Sequence, residues 1–360
     1  MDVLRAEYRA LYRHLQDRFT TGDLATGPAD THGQHHRGGT WTAERRRLHK
    51  EILDEAKAAC AGLPRDGKAV LLTAGPPGAG KGESQQLLRD RQGDDTKLGQ
   101  ALAQAHGMDL DQYVVLDPDQ FKERIIRHGG APALPAHAYA LPGGLRLAPA
   151  ELAPLVHRES SYLQDAFEDW AREQGFNLLY DGVMKNFDKT QSLLGDLKEQ
   201  GYSERVVLSV EVPMQTSLEQ NALRWQKGRI AFDQGTEAYG GRMAPEPLIR
   251  ALYAQGEAAS FSVARANAER LYTEGALTGL IKLDRGDWAQ APAPGPHAPV
   301  MQHRSTEAGM RVSTAAARAR SVTAKHRTGR STAGTTQQAG SPAAPVRQLG
   351  QQPDRRGRGR

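Results

Sequence analysis

Between Leu4 and Phe19 the apolar residues Leu4, Tyr8, Leu11, Tyr12, Leu15 and Phe19 recur at helical spacing among charged neighbours. The spacing predicts a helix with one stripe that packs against a partner. From Thr20 to Thr40 the chain carries Gly, Thr and His with hardly any large apolar residue, and it reads as a loop. A second helix is predicted after Thr42, with Leu48, Ile52, Leu53, Ala56 and Cys60 facing inward. The pattern then changes to short continuous apolar runs at 69–74, 113–116, 177–180 and 206–210, separated by helical stretches. Such runs are expected of strands buried on both faces of a parallel sheet. Tyr162, Leu163, Ala166, Phe167, Trp170 and Ala171 form a helical stripe that closes over that sheet. Strands alternating with helices imply right-handed crossovers and a three-layer α/β sandwich. No internal repeat is found.

Composition changes the picture at the ends. Beyond about Gln290 the chain is built from Pro, Ala, Gly, Ser, Thr, Gln and Arg, with almost no aromatic residues. That is too little apolar surface to offset the entropy of ordering, so disorder is expected. The expected organisation is a helical N-terminal extension at 1–68, an α/β domain at 69–285 and a disordered Arg-rich tail at 286–360. The formal net charge of +5 resides in the tail, where residues 301–360 hold eleven Arg and one Lys against one Glu and one Asp. The basic balance therefore gives no reason to read the body as a nucleic-acid binder, while the tail is a candidate for weak contact with nucleic acid or acidic partners. Cys60 is the sole cysteine, which removes disulfide frameworks and Cys-rich metal sites and fits a reducing, cytoplasmic setting. The N-terminus is too charged for a signal peptide, and no run reaches the roughly 18 apolar residues of a membrane span, so no membrane contact is expected.

The strongest chemical signal is Gly75-Pro76-Pro77-Gly78-Ala79-Gly80-Lys81, directly after a predicted strand and before a helical run. In a G-x-x-x-x-G-K loop the glycines let backbone N–H groups curl around a phosphate chain, the helix directs its positive end at the same anion, and the lysine reaches the β- and γ-phosphates. Where such loops usually offer Ser or Thr to magnesium, this chain has Gly82, followed by Glu83 and Ser84. Water, Ser84 or a carboxylate is then left to fill the gap. A GKG loop is similar to that of the adenylate-kinase branch of P-loop proteins.

A second signal, Asp117-Pro118-Asp119-Gln120-Phe121-Lys122, lies at the carboxyl end of the next strand. Carboxylates there face a phosphate loop and suit the orientation and deprotonation of an acceptor hydroxyl. The same residues also suit helix capping, Asp117 above all. Arg224, in a helix predicted over 214–227, and Arg242, after the glycine-rich 233–241, complete the set. Guanidinium groups offset charge developing on a transferring phosphoryl group, and a glycine-rich segment allows a lid to close.

Taken in order, GPPGAGKG, LDPDQFK, GFNLLYDG, GYSERVVLSVEVP, an Arg in the next helix and then Gly-Gly-Arg resemble the zeta toxin family of P-loop kinases over about residues 69–285. The resemblance implies a three-layer P-loop NTPase fold and an enzyme that uses ATP and Mg2+ to phosphorylate the amino sugar of UDP-N-acetylglucosamine. It also implies a toxin–antitoxin setting with a small antitoxin protein as partner. By the same resemblance Lys81 is the phosphate-loop lysine, within an ATP-binding segment running from Gly75 to Glu83. Asp119 corresponds to the general base, with Asp117 beside it on the substrate side. Arg224 and Arg242 correspond to the arginines that hold the γ-phosphate. Asp165 falls where a helix carboxylate lies near the sugar, and Asp181 where an acid helps to order magnesium, with Ser84 as a further metal candidate. The chain departs from the family at Gly82, at Val183-Met184 and in the Pro-Ala-Gly-rich 129–150. Two other readings stay open: a nucleoside-monophosphate-type kinase, favoured by the GKG loop, and a nucleotide-binding interaction protein without turnover, favoured by Gly82 and the tail.

Overall fold

The N-terminal stripe folds as a helix over Ala6–Thr20. Leu4, Leu11, Tyr12, Leu15, Phe19 and Leu24 bury themselves with Leu141, Leu147, Leu152, Leu155, Ala222 and Trp225. The partner of this stripe therefore lies more than a hundred residues away in the chain. The expected loop at 20–40 contains more structure than its composition suggests. Asp30 caps a short helix, Thr31–His35, by accepting the Gly33 N–H at 2.8 Å. A hairpin follows, formed by β1 (His36–Arg37) and β2 (Thr40–Trp41). Its two turn residues, Gly38 and Gly39, have φ of 57° and 80°, as a two-residue hairpin turn demands. Elements of two to five residues are too short to leave a period in the sequence. Thr42 then caps the helix Ala43–Ala59, whose Ile52 and Ala56 enter the main core.

This computed structural model describes residues 3–65, 67–90, 109–253, 261–285 and 300–303. The chain divides into two compact units, Met1–Ala316 and Ala317–Arg360, and every described residue lies in the first. The four apolar runs become β3 (Ala69–Ala74), β4 (Tyr113–Leu116), β5 (Asn177–Tyr180) and β6 (Glu204–Glu211), and β7 (Gly279–Asp284) joins them. The last was not read from the sequence, because Lys282 interrupts its apolar run. These five strands are parallel, and the sheet order is β4-β5-β3-β6-β7-β8. Its sixth strand, β8 (Val300–His303), is antiparallel to β7 and corrects the expectation of disorder for those four residues. Strand pairing uses backbone groups, so a stretch with little apolar surface can still close a sheet edge. The rest of 286–360 lies outside the described residues.

Alternation along the strands builds the two cores. Val70, Leu72 and Ala74 face one layer with Phe121, Ile125, Leu163, Phe167, Leu194 and Ala268 from covering helices, while Leu71 faces the other with Leu179, Val206, Leu208 and Ile281. The strand after β3 in the chain, β4, lies two places away in the sheet, whereas β6 lies on the opposite side of β3. This reversal opens a crevice at the carboxyl end of β3, the usual ligand position in open α/β sheets.

Candidate active site

The strands β3, β4 and β5 deliver polar groups to that crevice at their carboxyl ends. β3 runs into the glycine-rich loop, and the helix Lys81–Asp90 follows it. Gly78 has φ of 81°, and a Cβ there would lie 2.6 Å from the Ser217 carbonyl oxygen, so glycine is required both for the turn and for the close approach. Ser217 in turn donates its hydroxyl to Pro77 O at 2.6 Å. The loop is thereby fixed against the helix Met214–Asp233, which carries Arg224. Lys81 folds back, with Nζ donating to Gly75 O at 3.0 Å and Pro76 O at 3.3 Å. Burial lowers its pKa, with Arg224 acting in the same direction against the opposing charges of Asp181, Asp119 and Asp117.

The register Leu116↔Tyr180 makes Asp117 and Asp181 neighbours, each one residue past its strand end. Asp117 caps the helix Pro118–Arg127 by accepting the Asp119 N–H at 2.8 Å. Burial, reinforced by the charges of Asp119 and Asp181, pushes its carboxyl up to about 6. Asp119 meets Lys122 Nζ at 2.7 Å and Arg242 Nη1 at 3.3 Å. Burial raises its pKa, but those two cations, with Arg224 acting in the same direction, outweigh it and hold the carboxyl at about 2. The cleft is open yet densely walled, since Asp119 still exposes 40% of its side chain. Burial and the neighbouring Arg242 loosen Arg224's hold on its proton, opposed by Asp119, Asp181 and Asp117. Asp181 accepts from Thr73 Oγ1 at 3.0 Å and Gln85 Nε2 at 3.1 Å. Lys81, Asp117, Asp119, Asp181, Arg224 and Arg242 thus sit within one another's fields.

Other expected members are placed elsewhere. Ser84 is fully buried, with its hydroxyl donating back to Gly80 O at 2.8 Å rather than to the open cleft. Glu83, at the loop's outer side, pairs with Arg285 at 3.1 Å, and Arg285 also donates to Gly80 O at 3.0 Å. Asp165 is exposed on the helix His157–Glu173, and its charged neighbours are Lys189 and Asp169 rather than the two arginines. Gly82 has nothing within 4 Å of where a Cβ would stand. The glycine-rich 233–241 is seated rather than loose: Ala150 N–H donates to Tyr239 O at 2.8 Å, and Gly241 lies against Trp225 O. Gly240 and Gly241 serve close approach, whereas Gly235 has open space around it and a positive φ of 69°.

Lys122 and His157 were not assigned from the sequence. Lys122 was visible in retrospect, three residues after Asp119 on one helix. His157 keeps one side open to solvent, and partial desolvation on its other side lowers its pKa, as do Lys122 and Lys185, with Asp119 opposing; no local signal marks it. Among the described residues no group of three or more His, Cys, Asp or Glu side chains is arranged to hold a metal alone. Asp117 and Asp181 nevertheless supply hard oxygen donors that suit magnesium when phosphate oxygens and water complete its shell. A separate groove of about 400 Å³, lined by Lys68, Asp169, Arg172, Glu173 and Gln200, lies at the amino ends of the strands. No described helix is long and apolar enough to cross a membrane.

A family model described as Zeta toxin matches residues 53–271. No curated protein matches the chain. Among solved structures, the AvrRxo1-ORF1:AvrRxo1-ORF2 complex with sulphate ions is 18% identical, with 77% of this chain and 72% of that chain covered and a TM-score of 0.44. The corresponding complex with ATP is 17% identical over 77% and 71%, with a TM-score of 0.44. The PezAT chromosomal toxin–antitoxin system of Streptococcus pneumoniae is 12% identical over 68% and 79%, with a TM-score of 0.41.

Proposed function

The chain belongs to the zeta toxin family, and on that premise we propose that it is an ATP-dependent kinase that transfers the γ-phosphoryl group to a hydroxyl of a UDP-sugar of the UDP-N-acetylglucosamine class. The observation that carries this reading is the meeting of one lysine, two arginines and three carboxylates beside a phosphate-binding loop at a single sheet edge. The loop's N–H groups and the start of the helix Lys81–Asp90 bind the phosphate chain. Lys81 exchanges two backbone carbonyls for phosphate oxygens. Arg224 and Arg242 then turn to the γ-phosphate, where they offset developing charge. When Arg242 leaves Asp119, one of the cations that depress this carboxyl is gone. Asp119 becomes the more basic for it, and it orients the acceptor hydroxyl and takes its proton. Asp181 and Asp117, together with water and the nucleotide's own oxygens, would hold magnesium, which would offset phosphate charge during transfer.

A second assignment of the base has an observation in its favour. With a pKa of about 6, Asp117 is already closer to the range of a general base. An antitoxin protein as restraining partner and a cytoplasmic place of action go with the kinase reading. The test is incubation of the full chain with ATP, magnesium and a panel of UDP-sugars and nucleotides, followed by mass spectrometry. Addition of one phosphate to a UDP-sugar is expected. Transfer to a nucleoside monophosphate instead would establish the rival kinase, and tight ATP binding without transfer to any acceptor would leave an interaction protein.

A further inference from the structure

Arg242 meets Asp119 at 3.3 Å, and the backbone that follows it is gripped from two sides. From the helix Met214–Asp233, fully buried Asn221 makes a two-way contact with one residue. The Ala244 N–H donates to Asn221 Oδ1 at 2.9 Å, and Asn221 Nδ2 donates to Ala244 O at 3.0 Å. From the N-terminal helix, buried Gln16 donates Nε2 to the same Ala244 O at 3.2 Å and to Met243 Sδ at 3.1 Å. Its Oε1 accepts the Glu246 N–H at 2.9 Å. The Tyr12 hydroxyl accepts from Asn221 Nδ2 at 3.4 Å and joins the two halves. Beneath them Gly241 lies so close to helix backbone that a Cβ would stand 2.0 Å from Trp225 O.

A helix that served only to cover apolar surface would have no reason to direct an amide at residues 243, 244 and 246 of a distant segment. Side-chain amides that satisfy both the N–H and the C=O of one residue, here the half-buried Ala244, fix its direction as well as its distance. We propose that Gln16 and Asn221 are positioning residues of the phosphoryl-transfer site, a clamp through which the N-terminal helix fixes the backbone that carries Arg242 at the site, from which its side chain turns between Asp119 and the γ-phosphate. The catalytic consequence rests on the kinase reading, whereas the clamp is a statement about backbone order and can be tested without it.

The test uses the full chain carrying Gln16→Ala, Gln16→Met or Asn221→Ala, each also combined with Arg242→Ala. Gln16→Met fills the same space without polar atoms, so it separates lost hydrogen bonds from lost packing. Amide hydrogen exchange at Glu246 should quicken by about tenfold in both Gln16 variants, as expected for one lost hydrogen bond. With UDP-N-acetylglucosamine as acceptor, kcat should fall by about tenfold with KM for ATP within about twofold, since small misplacements of a charged group tax turnover most. In the Arg242→Ala background the same changes should cost nothing further. Unchanged exchange in both Gln16 variants, or an equal loss of kcat with Arg242 absent, would overturn the clamp. If the wild-type chain phosphorylates no acceptor, the kinase reading fails, and the exchange comparison alone decides the clamp.

Discussion

Two charged clusters in this molecule are built on opposite terms. In the first, Glu159 is completely buried and saturated: Arg45 reaches both its oxygens, at 2.6 and 2.7 Å, and His49 Nε2 lies 2.6 Å from Oε1. Arg45 also donates to Gly130 O. Burial raises the carboxyl's pKa, but hydrogen bonds from His49 and Arg45 outweigh it and bring the value to about 2. In the second, at the phosphate loop, like charges are gathered together: Asp117 with Asp119 and Asp181, and Arg224 with Arg242. The first cluster is complete without a ligand and ties the helix Ala43–Ala59 to the helix His157–Glu173. The second keeps self-repulsion that an incoming phosphate chain and its metal would relieve, which is how functional sites differ from structural ion pairs. The difference teaches that burial and pairing alone do not mark a site; unresolved repulsion beside an anion-binding loop does.

The sharpest way to break this contrast is to neutralise one carboxylate in each cluster. Asp119→Asn should lower turnover by about 10²–10⁴-fold, the usual worth of a general base, with ATP binding and stability little changed. If Asp117→Asn abolished turnover while Asp119→Asn kept it, the base would be Asp117. Glu159→Gln should do the reverse, destabilising the fold by about 3–5 kcal/mol because it leaves a buried cation without its partner. Denaturant midpoints would show this, and a loss below about 1 kcal/mol would mean that the closed cluster is not structural.

A smaller effect is expected at Lys81. Removing this charge in Lys81→Ala should weaken ATP binding by about 1.5–3 kcal/mol, as for a hydrogen bond to a charged group, whereas Arg242→Ala should reduce kcat more than affinity. Titration with a non-hydrolysable ATP analogue alongside steady-state kinetics separates the two. Equal losses at both positions would remove the distinction between ground-state and transition-state contacts.

The pH dependence of stability sharpens the contrast further. Asp117 has a folded pKa of about 6, above its ordinary 3.8. The folded chain therefore holds this proton more tightly, and the stability so gained is full below about pH 4 and is lost as pH rises through about 6. Asn also caps helices well. Asp117→Asn should therefore gain stability relative to wild type between about pH 4 and 6 and hold that gain above about 7. Glu159 acts oppositely: its contribution is full above about pH 4.5 and is lost as pH falls through about 2. Unfolding curves across pH would show a flat Asp117→Asn difference if the crowding of acids were illusory. The smallest effect concerns Gly82→Ser. Open space at that position should let the hydroxyl enter without loss of stability and lower the magnesium concentration needed for half-maximal turnover.

What was legible in the sequence depended on how local its cause is. The strands β3 to β6 were readable because each must be apolar on both faces, and the phosphate loop because its glycines and lysine act within one turn of chain. Asp117's capping was readable for the same reason, since its partner is two residues away. The glycines at 240 and 241 were readable as special but not as to purpose: they suggested mobility, and the fold uses them for contact.

By itself, then, the sequence determined the alternation of elements, the anion-binding loop and the residue types gathered near it. It also determined that one stripe of the N-terminal helix had to be covered. Only the tertiary structure decided what covers that stripe, that Gln16 and Asn221 meet at Ala244, that Arg45 and His49 close on Glu159, and that Ser84 turns inward while Asp165 faces away. It also decided that Val300–His303 closes the edge of β7. Periodicity states which side of an element must leave water. It does not state which of many equally apolar or polar surfaces will be there to receive it, because that choice is set by packing and hydrogen-bond geometry among residues distant in the chain.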